Sequence, residues 1–189
     1  NHVFRYEIQT GHTDLWRHQG KFGPIALFAG KVYLQFRDDA VRVLEGDDWQ
    51  LLPGTEGLSQ RLTAMVNVAD KELLLLPIDG EWLRYRDGTI QPVEDVRLAD
   101  SSHVTYALLL DEHTLCMTTQ FGDLIFYDLD ANTIDTIQVS RRFLSSAVRA
   151  TTGELLVVDD QGFYAIKWPT NWRSMARGSG LAGSVHGIK

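Results

Sequence analysis

Apolar residues in this chain come in short runs separated by polar turns, and within the runs the pattern alternates instead of following a helical period. Val32-Tyr33, Thr105-Tyr106 and Ile125-Phe126-Tyr127 are β-branched or aromatic stretches that suit a pleated, half-buried surface. No segment carries the apolar spacing of an amphipathic helix over ten or more residues. The longest continuous apolar stretches, Leu73–Leu76 and Ala107–Leu110, have the length of strands. The pattern predicts an all-β chain.

The runs also recur. Gly30-Lys31-Val32-Tyr33-Leu34 aligns with Asp70-Lys71-Glu72-Leu73-Leu74-Leu75, with His113-Thr114-Leu115-Cys116-Met117 and with Gly153-Glu154-Leu155-Leu156-Val157. The equivalent positions Lys31, Glu72, Thr114 and Glu154 are 41, 42 and 40 residues apart. A second landmark, Asp39, Gly80, Gly122 and Gly162, repeats with the same three spacings. After each comes a further apolar strand: Ala40–Leu44, Glu81–Tyr85, Asp123–Asp128 and Phe163–Lys167. A weaker strand ends each unit (Trp49–Leu52, Thr89–Val93, Thr133–Val139), and an apolar one opens it (Leu62–Val68, Val104–Leu110, Ala147–Ala150). Asp79-Gly80 and Asp87-Gly88 are two-residue hairpin signals.

Four short strands per unit at this period is the signature of a β-propeller. A single four-stranded sheet has two apolar faces, and stacking such sheets around an axis lets each cover the next. Val3-Phe4-Arg5-Tyr6 resembles Trp82-Leu83-Arg84-Tyr85, so residues 1–23 read as the end of a preceding blade. Blades follow at 24–60, 61–102, 103–146 and 147–179, and 180–189 reads as the start of another. The expectation is a propeller fragment, an open arc of a larger ring that continues in both directions; a small four-bladed ring is the alternative.

Composition narrows the function. The 189 residues carry a net charge of −7, which gives no electrostatic footprint for nucleic acid, and Arg141-Arg142 is too short a basic cluster to reverse that. No run of eighteen apolar residues is present, so no membrane contact is expected within this segment. The single cysteine, Cys116, lies in an apolar strand pattern and reads as a buried, inert thiol.

Motifs for chemistry fail on context. Gly178–Gly183 matches G-x-G-x-x-G but lacks a following helix and an acidic residue about twenty positions on. Asp128-Leu129-Asp130-Ala131-Asn132 begins like a calcium loop, yet Thr133 and Val139 stand where Gly and Glu are needed, so a polar turn is expected. The six histidines show no helical metal-site spacing. Acidic residues such as Glu45, Asp47, Asp48, Glu94, Asp95, Asp159 and Asp160 fall mostly in turns and read as solvated. Trp16, Trp49, Trp82, Trp168 and Trp172 are expected to pack between blades. No catalytic residue, metal or cofactor is expected.

Loops on a rigid scaffold are where binding is sought. One set links each fourth strand to the next first strand (Pro53–Arg61, Glu94–His103, Val139–Ser146); the other links second and third strands (Arg37–Asp39, Pro77–Gly80, Thr119–Gly122, Asp159–Gly162). Arg61, His103, Arg141 and Arg142 stand just before the inner strands and are the candidate ligand-binding residues, suited to an anionic group or a carbohydrate hydroxyl.

The lead-ins Gly57-Leu58 with Leu62, Gly180-Leu181 with Val185, and Phe143-Leu144 with Val148 resemble the two-component regulator propeller repeat of bacterial sensor proteins. The chain departs from that pattern at Leu155–Val158, which lacks the Trp of the second strand, and at Gly162-Phe163, which replaces Gly-Leu. The resemblance implies a periplasmic or extracellular sensing region. It would bind a small molecule or a protein partner, with a homodimer contact an option, and a kinase or diguanylate cyclase output would lie outside this segment. A structural or protein-interaction scaffold is the alternative, and an enzyme propeller of lyase, lactonase or quinoprotein type is the third.

Overall fold

The computed structural model describes residues 2–17, 22–36, 40–56, 58, 61–78, 80–93 and 103–167. Among them the only regular element is the β-strand. A hairpin, β1 (His2–Tyr6) and β2 (Thr13–Arg17), comes first. Blade I is β3 (Phe22–Phe28), β4 (Lys31–Phe36), β5 (Val41–Glu45) and β6 (Asp48–Leu51). Blade II is β7 (Leu62–Val68), β8 (Glu72–Pro77), β9 (Leu83–Arg86) and β10 (Thr89–Pro92). Blade III is β11 (Val104–Leu109), β12 (Thr114–Thr119), β13 (Asp123–Asp128) and β14 (Thr133–Gln138). Blade IV shows β15 (Leu144–Arg149), β16 (Glu154–Asp159) and β17 (Phe163–Lys167). Every sheet is antiparallel with its strands in chain order, and together the four blades make a β-propeller.

Each repeat landmark Lys31, Glu72, Thr114 and Glu154 is the first residue of its blade's second strand. Several strand limits differ from the sequence pattern by one to three residues. β15 begins at Leu144, ahead of Ala147, and β9 begins at Leu83, leaving Glu81 and Trp82 in the preceding turn. Trp82 is buried instead against Tyr127 of blade III, ring centroids 5.5 Å apart and edge to face. β4 runs on to Phe36. The Asp87-Gly88 turn has positive φ at both residues (50° and 76°), which is the type I′ backbone that matches strand twist. Gly80 is at φ 95°, while Asp79 lies outside the described residues, as do Asp39, Trp168, Trp172 and Gly178–Gly183.

Hydrogen bonds between blades set their relative direction. Near the ends of β3 and β7, Asn67 Nδ2 donates to Leu27 O at 2.9 Å. Near the starts of β11 and β15, Thr105 Oγ1 donates to Leu144 O, and past their far ends Arg149 Nη1 donates to Leu110 O. The amide of Leu62, which starts β7, donates to Gln35 Oε1 at the end of β4 (2.8 Å). These bonds set β3 parallel to β7 and β11 parallel to β15, and β7 packs beside β11, so in the propeller each first strand is the inner strand of its blade.

The core is three layers, one per blade interface. Blades I and II bury Tyr33, Val43, Met65, Leu73 and Leu75 between them, with Phe28, Tyr33 and Tyr85 forming an aromatic cluster. Blades II and III bury Val66, Leu74, Leu76, Leu115 and Met117. Blades III and IV bury Cys116, Phe126, Leu144, Leu155 and Val157. Cys116 is fully enclosed there, and burial pushes its thiol up to about 12.

All four inner strands carry a β-bulge just past their start. The register slips by one residue between Leu62 and Ala64, between Val104 and Tyr106, between Leu144 and Ser146, and across Gly23-Pro24 in β3. The extra residue is Thr63, Thr105 or Ser145 in blades II to IV. In blade I it includes a proline, which has no amide hydrogen to leave unpaired. A Cβ at Gly23 would lie 2.8 Å from Gln35 Oε1 and 3.1 Å from Gln35 O, so a side chain there would displace the amide that holds Leu62.

Candidate functional site

Parallel inner strands put all their starts at one end of the propeller. The loops from second to third strands end at that same end, because each second strand runs back antiparallel to its first. Arg61, His103, Arg141 and Arg142 therefore share one rim. Arg61 is exposed, and its carbonyl accepts from the amide of Ile78 in the neighbouring turn (2.9 Å). The carbonyl of His103 accepts from Gln120 N (3.0 Å), and its half-buried ring leans on Phe121 at 6.2 Å. Arg141 is exposed. Arg142 reaches blade IV, where its Nη1 lies 3.2 Å from Asp160 Oδ2.

The segment carrying the two arginines is tied to turns on both sides. The amides of Val139 and Ser140 donate to Gly122 O (2.9 and 3.1 Å), and Ser140 Oγ donates to Asp159 Oδ2 (3.0 Å). Gly122 sits at φ 90°, and a Cβ there would lie 2.1 Å from Ser140 O, so only glycine allows this approach.

Asp159 corrects the expectation of a solvated acid. It ends β16 and is buried. Burial alone would raise its carboxyl. Hydrogen bonds from Tyr164 OH (2.7 Å), Gln161 N (2.8 Å), Ser140 Oγ and Gly162 N (3.0 Å) outweigh burial and hold it below the ordinary value. Its position is one repeat after Thr119, whose hydroxyl accepts from Phe121 N and Asp123 N in the corresponding turn. Both are turn-makers, legible from the repeat once the strand ends are known. The calcium-like segment is likewise a turn: Asp128 Oδ1 accepts from Asp130 N and Ala131 N. Among the described residues no three His, Cys, Asp or Glu side chains gather to hold a metal.

None of the rim arginines lines a cavity of about 380 Å³ between the β1–β2 hairpin and blade I, whose walls are Val3, Leu15, Trp16, Phe22, Phe36, Arg42 and Trp49. Trp16 and Trp49 meet edge to face at 6.0 Å, and Trp49 meets Phe36 at 5.7 Å. The Arg42 guanidinium lies over the Phe36 ring, 5.3 Å from its centroid. The sequence pattern placed Trp16 and Trp49 in blade packing, and they do pack, but nothing in it marked Arg42. Arg42 occupies an ordinary alternating position on β5, and its partners come from other strands.

No protein-family model and no curated protein matches this sequence. Solved structures do. The computationally designed Ika4 protein aligns over 79% of this chain and 94% of its own, at 16% identity and a TM-score of 0.60. The designed Ika8 protein aligns over 86% of this chain and 57% of its own, at 14% identity and 0.61. The extracellular domain of a proposed one-component system, BT4673 from B. thetaiotaomicron, aligns over 76% of this chain at 16% identity and 0.62. The likeness is one of fold. This chain spans just over half of the Ika8 chain and a fifth of the BT4673 chain.

Proposed function

We propose that this chain is a non-catalytic ligand-binding region of a bacterial sensor, and that its ligand is held at the rim carrying Arg61, His103, Arg141 and Arg142. The supporting observation is the parallel set of inner strands, which gathers hydrogen-bond donors from three separate linkers on one rigid end. Three arginines and a histidine, with an aromatic ring beside His103, suit an acceptor-rich anion or a polyol. The fold likeness to an extracellular domain of a proposed one-component system supports an extracellular or periplasmic setting. The repeat pattern supports kinship with two-component regulator propellers. Remaining blades, and an output module such as a kinase or cyclase, would complete the receptor.

Thermal-shift titration with citrate and with galacturonate tests this reading. Either probe should raise Tm for the wild type, and Arg61→Ala/Arg142→Ala should abolish the rise. A rise retained in full by the double variant would remove the rim from consideration.

A second reading is a protein-interaction scaffold. The likeness to two designed proteins favours it, since a fold that can be specified without a ligand can serve as a frame alone. Crosslinking of the intact protein separates the two: a specific partner contact on the blades with no small-ligand response selects the scaffold.

A further inference from the structure

Asp159 carries more than its turn requires. Its Oδ1 accepts from Gln161 N and Gly162 N, which closes the turn into β17. The residues one, two and three repeats earlier are Thr119, Pro77 and Phe36, and none of them is charged. Thr119 closes the corresponding turn with a neutral hydroxyl. A buried carboxylate costs more desolvation than a hydroxyl, so the turn alone gives no reason for it. The surplus is Oδ2. It accepts from Tyr164 OH at 2.7 Å and from Ser140 Oγ at 3.0 Å, and Ser140 belongs to the linker from blade III. The same Ser140 oxygen accepts from the amide of Arg142 at 3.2 Å. A relay thus runs from a carboxylate of blade IV, through one hydroxyl, to the backbone of Arg141-Arg142. On the other side Gly122 O holds the amides of Val139 and Ser140. The Arg142 guanidinium is paired with Asp160, whereas Arg141 is exposed and its guanidinium has no partner among the described residues.

We propose that Ser140 and Asp159 are positioning residues for the rim, fixing the linker backbone so that Arg141 presents its charge to an anionic ligand. This role rests on the rim being the ligand site, and it adds the groups beneath the surface that shape that site. Deleting the Ser140 hydroxyl leaves both Asp159 Oδ2 and the Arg142 amide one partner short. The ligand must then order the linker itself, and affinity falls by that cost.

The test is calorimetric titration of the intact chain with citrate. Ser140→Ala should weaken citrate about tenfold, and Ser140→Thr, which keeps the hydroxyl, should bind within about twofold of the wild type. Tyr164→Phe removes a donor from the same Oδ2 but no hydrogen bond to the linker. It should lower Tm and leave citrate affinity within about twofold of the wild type. Arg141→Ala should weaken citrate at least as much as Ser140→Ala, and the double variant no more than Arg141→Ala alone, because the serine acts through the arginine. Equal losses in Ser140→Ala and Tyr164→Phe, no rescue by threonine, or additive losses in the double variant overturn the positioning role. So does citrate binding that is lost in Arg141→Ala but kept in Ser140→Ala, which would leave the rim standing as the site. Binding that survives both Arg141→Ala and Arg61→Ala/Arg142→Ala, or no citrate binding by the wild type up to about 10 mM, removes the rim as the anion site and the positioning role with it.

Discussion

Strand β8 of blade II and strand β16 of blade IV are close in composition, Glu-Leu-Leu-Leu-Leu-Pro against Glu-Leu-Leu-Val-Val-Asp, and they meet different fates. In β8 all four leucines are fully buried, Leu73 and Leu75 against blade I, Leu74 and Leu76 against blade III. In β16 only Leu155 and Val157 are buried that way, against blade III. Leu156 and Val158 face the other side with Val148 and Phe163, which remain 55% and 72% exposed. No described strand covers that side. Blade I is mixed: its face toward blade II is buried, and on the opposite face Ile25 and Leu27 of β3 are 58% and 63% exposed while Leu34 and Phe36 of β4 are buried. A propeller strand thus gets about half its burial from each neighbour, and the strand's own sequence sets neither half.

The contrast can be broken by matched substitutions. Leu75→Ala should cost about 3–5 kcal/mol, as a full cavity in a closed interface, whereas Leu156→Ala should cost about 1. Urea unfolding measures both, and equal costs would mean that the far face of blade IV is covered too. Next in size are the turns. Gly122→Ala should cost about 3 kcal/mol, because it combines a positive φ with a clash against the backbone of Ser140, while Gly88→Ala, at a positive φ in open space, should cost about 1.

The bulge hydroxyls sharpen the comparison further. Thr105 Oγ1 bonds Thr118 Oγ1 at 2.7 Å as well as Leu144 O of the next blade. Thr63 occupies the same place in blade II, but the residue one repeat before Thr118 is Leu76, and the Thr63 hydroxyl is buried without a partner. Thr105→Val should therefore cost about 1–1.5 kcal/mol, and Thr63→Val should be neutral or stabilising by about 0.5. If the two variants lose the same stability, the hydroxyls do not distinguish the blades.

The smallest effect is in the acid limb. The folded carboxyl of Asp159 lies below its ordinary value of about 4, so its hydrogen bonds stabilise the fold above that pH. That contribution should fade as pH drops below the ordinary value and through the folded one. Asp159→Asn should flatten Tm against pH in that range and leave the neutral-to-alkaline part of the curve unchanged in shape.

Much of the fold is written locally. The alternation, the spacing from Lys31 to Glu72, Thr114 and Glu154, and the Asp87-Gly88 turn depend on pleat geometry and backbone sterics, which act within a few residues. The bulges were not legible, because a bulge is a relation between two strands and any small or hydroxylated residue can occupy it. Asp159 read as a solvated turn acid for the same reason: two of its four donors come from the turn ahead, and the others from Tyr164 on β17 and Ser140 of the preceding blade. Of the rim, the sequence supplied the positions just before inner strands, and the structure added the Arg142–Asp160 pairing across blades III and IV.

By itself the sequence determined strand identity, the repeat and which loops fall at one end, since each follows from short-range periodicity. Only the tertiary structure decided which apolar faces are covered, which polar groups find partners, and that Trp16, Arg42 and Trp49 come to line one cavity. Those outcomes depend on packing between sheets whose residues are tens of positions apart, and no local pattern records the distance between them.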